Sequence, residues 1–211
     1  LNVYKELPSD ISKLNIAVLI KRKSLKEKDN FPLFGIEDET FKTFEDRPNL
    51  LTKREVRIQI LADLELPDKG TIWDIGAGCG SIGLEALKLR PNLNLLSIDK
   101  RIGSKELIAE NAKKLGVSQL DIFEEDINNL LSSNQINSLR KPNRIIIGGC
   151  DKNTKLNVIN KLSKKMNSGD IISIPLIDIQ IIKDLKMALK ENNFSVSLNL
   201  IQTYKSLSIS E

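Results

Sequence analysis

The stretch from Thr71 to Ser81 constrains this chain more than any other. Its strand-forming start, Thr71-Ile72-Trp73-Asp74-Ile75, runs directly into Gly76-Ala77-Gly78-Cys79-Gly80, and an apolar segment of helical character follows. Glycines let the backbone turn sharply and let a ligand approach with no side chain in the way. The helix beyond presents unpaired N–H groups at its start. A glycine motif gains weight in this strand–loop–helix setting. Further along, strands expected at 71–75, 94–98, 119–123, 143–147, 170–174 and 194–201 alternate with helices at 80–90, 103–115, 127–138, 153–167 and 178–191. Such alternation implies right-handed crossovers and a doubly wound, mostly parallel α/β sheet. At 211 residues the chain has room for one such domain and little more.

The glycine spacing selects among ligands. A dinucleotide fingerprint needs G-x-G-x-x-G, and Ser81 stands where its third glycine belongs. G-x-G-x-G after an acidic strand end is instead the pattern of Rossmann-like, class I S-adenosylmethionine-dependent methyltransferases, where the loop holds the amino-acid part of the cofactor. Asp99 ends the second strand, about twenty residues past the loop, where a carboxylate can accept both ribose hydroxyls. Asp126, after the third strand, stands where such enzymes hold the adenine. It also suits an N-cap for a helix starting at Ile127, and one residue can serve both purposes. Gly148-Gly149 closes the fourth strand beside the switch point, the place where open α/β sheets bind substrates.

Ahead of the sheet, Leu51–Leu64 reads as an amphipathic helix, with Thr52 and Glu55 at capping-box spacing. Asn15–Ile20 reads as a short buried strand, and the charged run Lys21–Asp29 as a linker. The chain therefore divides into the tail of a preceding domain at 1–32 and a methyltransferase domain at 33–211. It lacks an initial Met, and few residues follow the sixth expected strand, so it reads as a piece of a longer, C-terminally truncated polypeptide.

Composition excludes more than it assigns. With no His, the commonest general base and metal ligand are both missing, so no metal site and no catalytic acid or base are assigned. Cys79 and Cys150 read as small space-fillers, lack metal-site spacing, and fit a reducing cytoplasm. No apolar run is long enough for a membrane span. A net charge of +4 with only 4% aromatic residues argues against nucleic acid as partner.

Four segments together resemble a family. Phe34-Gly35-Ile36-Glu37-Asp38-Glu39-Thr40-Phe41, Leu51-Thr52-Lys53-Arg54-Glu55-Val56-Arg57, Trp73 through Ser81, and Ile147-Gly148-Gly149 are similar in order and spacing to the decarboxylating precorrin methyltransferases of cobalamin biosynthesis. In that family the activity stands alone or is fused behind a second methyltransferase domain, as in precorrin-6B C5,15-methyltransferases. Residues 1–32 resemble the end of such an upstream domain. The resemblance implies S-adenosyl-L-methionine as methyl donor, an anionic tetrapyrrole (precorrin) as acceptor, and homo-oligomers. It assigns cofactor contacts to Thr52, Gly76, Ala77, Gly78, Cys79, Gly80, Asp99, Asp126 and Ile127, and places Gly148 and Gly149 against substrate. Lys53, Arg54 and Arg57 are candidates for pairing with substrate carboxylates. The chain departs from the family at Cys150-Asp151-Lys152, where small residues are usual, and lacks the basic, Gly-containing segment expected at the C-terminus. Two rival readings keep the fold: a methyltransferase acting on RNA or protein, and a non-catalytic cofactor-binding domain that serves assembly.

Overall fold

The computed structural model describes residues 31–48 and 50–203. The strand expected at 15–20 and the charged linker after it lie outside these residues.

Five strands form one sheet: β1 (Gly70–Ile75), β2 (Leu93–Asp99), β3 (Leu120–Glu124), β4 (Arg144–Ile147) and β5 (Ile171–Ser173). Their order is β3-β2-β1-β4-β5, and every neighbouring pair is parallel. The helices are α1 (Arg54–Asp63), α2 (Ser81–Leu89), α3 (Ser104–Leu115), α4 (Ile127–Ser132), α5 (Lys152–Leu162) and α6 (Ile182–Glu191). β1 and β4 are buried along nearly their whole length, as strands covered on both faces must be.

The two-residue side-chain period divides the core into two layers. Ile72, Leu95 and Ile146 pack on one face with Leu61, Leu84 and Ile108 from α1, α2 and α3. Trp73, Leu96 and Ile145 pack on the other with Leu130, Val158 and Leu185 from α4, α5 and α6. The sheet is thus doubly wound, as its β–α alternation implies.

Register positions the functional edge. Ile75 pairs with Ile98 on β2 and with Ile147 on β4. The next residues, Gly76, Asp99 and Gly148, therefore emerge at one level on the carboxyl end of the sheet. The chain winds one way from β1 through β3 and the other way from β4 to β5, so a crevice opens between β1 and β4.

The structure corrects several expected elements. α1 begins at Arg54, with Lys53 at the N-cap and no side-chain cap bond, so the Thr52 box does not form. The Thr52 carbonyl instead accepts a hydrogen bond from Arg57 Nη1 at 2.6 Å. The helix expected over 127–138 stops at Ser132 and resumes as a 3-10 turn, Asn134–Asn137. Ser132 and Ser133 hydroxyls donate to the carbonyls of Asn128 and Leu130, competing with the helical ladder. α5 likewise ends at Leu162, where Ser163 donates back to Ile159. No strand forms at 194–201. β5 spans only Ile171–Ser173, and Pro175 follows without an N–H to donate, so its edge offers a sixth strand little to pair with.

Candidate active site at the carboxyl edge of the sheet

The glycine loop folds back on β2. The Gly76 and Ala77 amides both donate to the Ile98 carbonyl, at 2.8 and 3.2 Å, and Gly80 N–H donates to Ala77 at 2.8 Å. Gly76 has φ +71°, and a Cβ there would lie 2.9 Å from the Gly149 nitrogen, so only glycine lets the β1 and β4 loops touch. Gly78 also has positive φ, +60°, but its surroundings are open: the nearest atom to a Cβ would be the Leu50 carbonyl oxygen, 3.9 Å away. The loop is therefore closed toward β4 and roomy above Gly78.

Asp99 borders that room. Its Oδ2 accepts the Gly78 N–H at 2.7 Å and its Oδ1 accepts the Arg101 N–H at 2.9 Å. Each carboxylate oxygen keeps a further lone pair, so ribose hydroxyls can still be bound. The Glu125 amide donates to the Asp99 carbonyl at 3.0 Å, which brings Asp126 alongside. Asp126 caps α4 through Asn128 N–H at 2.9 Å, and Lys100 Nζ lies 3.7 Å from its other oxygen. The helix-cap reading of Asp126 is thus realised. Ile127 is buried beneath it. Open space over Gly78, amides at the start of α2 and a carboxylate ending β2 fit S-adenosylmethionine, whose bound state needs a polar cradle and a ribose acceptor.

At the end of β4, Gly148 and Gly149 differ sharply. A Cβ on Gly148 would lie 2.9 Å from the Gly76 carbonyl oxygen, whereas one on Gly149 would meet nothing within 4 Å. Packing therefore explains the first glycine and leaves space in front of the second. The Lys155 ammonium, buried behind this turn, donates to the carbonyls of Gly148 and Ile147. Burial lowers its pKa, partly opposed by the nearby Cys150 and Asp151.

Asp74 lies one layer deeper, on the α2 face of β1. Its carboxyl pKa is pushed up to about 7, chiefly by burial, with the Gly83 N–H opposing and nearby Asp99 adding to the rise. Burial also pushes up the Cys79 and Cys150 thiols, which suits their reading as packing residues rather than nucleophiles.

The structure withdraws Arg57 from the substrate candidates. It is fully buried, with Nε 2.7 Å from Glu85 Oε2, Nη1 3.1 Å from Asp38, and its plane over the Phe41 ring. Arg54 Nε donates to the Gly35 carbonyl at 2.7 Å and lies 3.5 Å from Glu37, so it braces the segment preceding α1. Lys53 is exposed, 3.9 Å from Asp38. Sequence reasoning missed Glu85, Asn111 and Lys155. A glutamate inside the apolar run Ile82–Leu87 was the available signal, because a buried carboxylate requires a partner. Asn111, a poor helix former in mid-helix, was a weaker one.

With this geometry in place, likeness to known proteins becomes specific. Residues 42–193 match the family described as precorrin methyltransferase domain. The chain belongs to that family. The probable cobalt-precorrin-6B C(15)-methyltransferase (decarboxylating) of Pyrobaculum aerophilum is 31% identical over 173 residues, 81% of this chain and 83% of that protein. Precorrin-6y C5,15-methyltransferase from Geobacter metallireducens GS-15 shares the fold with a TM-score of 0.71 and 26% identity, over 82% of this chain and 87% of that one. The C-terminal domain of the Rhodobacter capsulatus precorrin-6Y C5,15-methyltransferase, at 18% identity and TM-score 0.65, covers 85% of this chain and 91% of its own. The fold is that of the class I S-adenosylmethionine-dependent methyltransferases. Among the described residues, no helix is long and apolar enough to cross a membrane.

Proposed function

We propose that this chain methylates a methine carbon of a precorrin and couples the transfer to decarboxylation of an acetate side chain, in cobalamin biosynthesis. The observation that carries the reading is the level ending of β1, β2 and β4, which sets Gly76–Gly80 and Asp99 directly beside Gly148-Gly149. The family membership and the decarboxylating precorrin methyltransferases among its relatives support the choice of acceptor.

S-adenosylmethionine, when bound, supplies an electrophilic methyl group. Gly76, Ala77, Gly78, Cys79 and Gly80 cradle its amino-acid part, Asp99 accepts the ribose hydroxyls, and Asp126 with Ile127 borders the adenine. Thr52 closes the site from the α1 side. The acceptor lies over Gly149, whose missing side chain leaves it space, while Lys155 keeps the turn in place from behind. Methine carbons of a reduced tetrapyrrole are enamine-like and already nucleophilic, so the protein's work is alignment, and a chain without His can perform it. As the acetate C–C bond breaks, carbon dioxide leaves and its electron pair enters the methylated ring. The remaining side chain takes a proton from water to become a methyl group, and the methylated carbon gives its own proton to water. The net change is one CH2 gained and one CO2 lost.

The test is incubation with a precorrin acceptor and methyl-labelled S-adenosylmethionine, read by product mass. The expected product has gained one CH2 and lost one CO2. Label transferred to RNA or protein instead would favour the rival acceptor class, and cofactor binding with no transfer to any acceptor would favour the assembly domain.

A further inference from the structure

Residues 42–48 and 50–52 run from Asn111 on α3 to the start of α1, and three of their fixed points lead to the glycine loop or the turn after Asp99. At its start, Asn111 is buried and ties both backbone groups of Lys42: its Oδ1 accepts the Lys42 N–H at 2.8 Å and its Nδ2 donates to the Lys42 carbonyl at 2.9 Å. The same Nδ2 donates to the Cys79 carbonyl of the glycine loop at 3.0 Å. Midway, the Phe44 ring stacks under the guanidinium of Arg101, 4.7 Å from its centroid, two residues beyond Asp99. Leu50 then sets its carbonyl over Gly78. At the end, Arg57, held by Glu85, fixes the Thr52 carbonyl. One further sign points to a ligand here. Arg101 Nη1 is buried and has no hydrogen-bond partner among the described residues, a costly state for a charged donor unless an acceptor is supplied.

We propose that the strap made by residues 42–48 and 50–52 is the outer wall of the cofactor site, that Asn111 and Arg57 are positioning residues fixing its two ends, and that Phe44 and Arg101 close it against the nucleoside of the donor. The inference rests on Gly76–Gly80 and Asp99 being the S-adenosylmethionine site. A ribose or purine bound at Asp99 carries the oxygen or nitrogen acceptors that Arg101 lacks. The strap then contacts the nucleoside through an aromatic face and a cation, which suits a π-system. Pinned ends keep the ordering entropy of the wall out of the binding step.

The experiment is hydrogen–deuterium exchange of the whole chain with and without S-adenosylhomocysteine, joined to calorimetry of Phe44→Ala, Phe44→Tyr and Asn111→Asp. Amides of 43–52 should slow at least about tenfold on binding, while those of α5 stay unchanged. Phe44→Ala should weaken binding about fivefold at an unaltered melting temperature, and Phe44→Tyr should restore it. Asn111→Asp keeps the acceptor but loses the donor to Cys79 and Lys42, and should weaken binding further. Tight binding by the wild type with no protection of the strap, or with wild-type affinity in Phe44→Ala, would overturn the inference and leave the cofactor site standing. A folded wild-type chain that fails to bind at all would overturn both.

Discussion

The two sides of the sheet's carboxyl edge are built from different materials. The β1–β2 side is fixed by main-chain groups: the loop amides bind the Ile98 carbonyl, Asp99 binds the Gly78 amide, and Gly76 admits the Gly149 nitrogen at a distance no side chain would allow. The β4–β5 side has one exposed glycine with nothing near it, a buried lysine behind the turn, and a last strand of three residues. A site for a common cofactor can be made of backbone, which any chain with glycines at the right places reproduces. A site for a large, particular acceptor depends on loop side chains, here those of Cys150-Asp151-Lys152 after the glycines.

That contrast can be sharpened by substitution. The largest effect is expected at Asp74. Its folded pKa near 7 exceeds the ordinary 3.8, so the native state binds a proton more tightly than the unfolded chain, and stability falls as pH rises from about 4 to about 7. Asp74→Asn should remove this loss and gain up to about 4 kcal/mol relative to wild type over that window. Urea denaturation at several pH values measures it, and parallel pH profiles for the two proteins would contradict it.

A smaller effect separates the neighbouring glycines. Gly148→Ala pushes a methyl against the Gly76 carbonyl and should cost about 2 kcal/mol of stability. Gly149→Ala should stay within about 0.5 kcal/mol of wild type in a thermal melt, yet raise the KM for the acceptor. Equal stability losses in the two would erase the distinction between a packed and a vacant glycine.

The smallest effect is expected at Lys155. Lys155→Met leaves the Gly148 and Ile147 carbonyls short of a donor and should cost about 1 kcal/mol. Its sharper signature is a raised KM for the acceptor with S-adenosylhomocysteine affinity unchanged. A loss of cofactor affinity instead would place Lys155 on the donor side.

The same contrast governs what could be read from the sequence. The parallel sheet, the glycine turn and the position of Asp99 were legible because period-2 strands, glycine spacing and strand ends are local signals. The strand expected at 194–201 was not formed, although Phe194, Val196, Leu198 and Leu200 alternate as a strand should. Alternation describes one segment, and pairing needs an edge to receive it, which β5 does not provide. Thr52 looked like a cap until Arg57 was seen to hold its carbonyl, and Arg57 looked like a partner for substrate carboxylates until Glu85 was seen opposite it. Both misreadings come from contacts between residues far apart in sequence, where no local pattern marks the partner.

The division between donor and acceptor sides is tested most directly by calorimetric titration of S-adenosylhomocysteine into wild type, Asp99→Ala and Gly149→Ala. The expected result is tight binding by wild type and Gly149→Ala, with Asp99→Ala weakened about a hundredfold through the loss of two charge-assisted hydrogen bonds. Undiminished binding by Asp99→Ala, or a loss confined to Gly149→Ala, would contradict the assignment of the two sides.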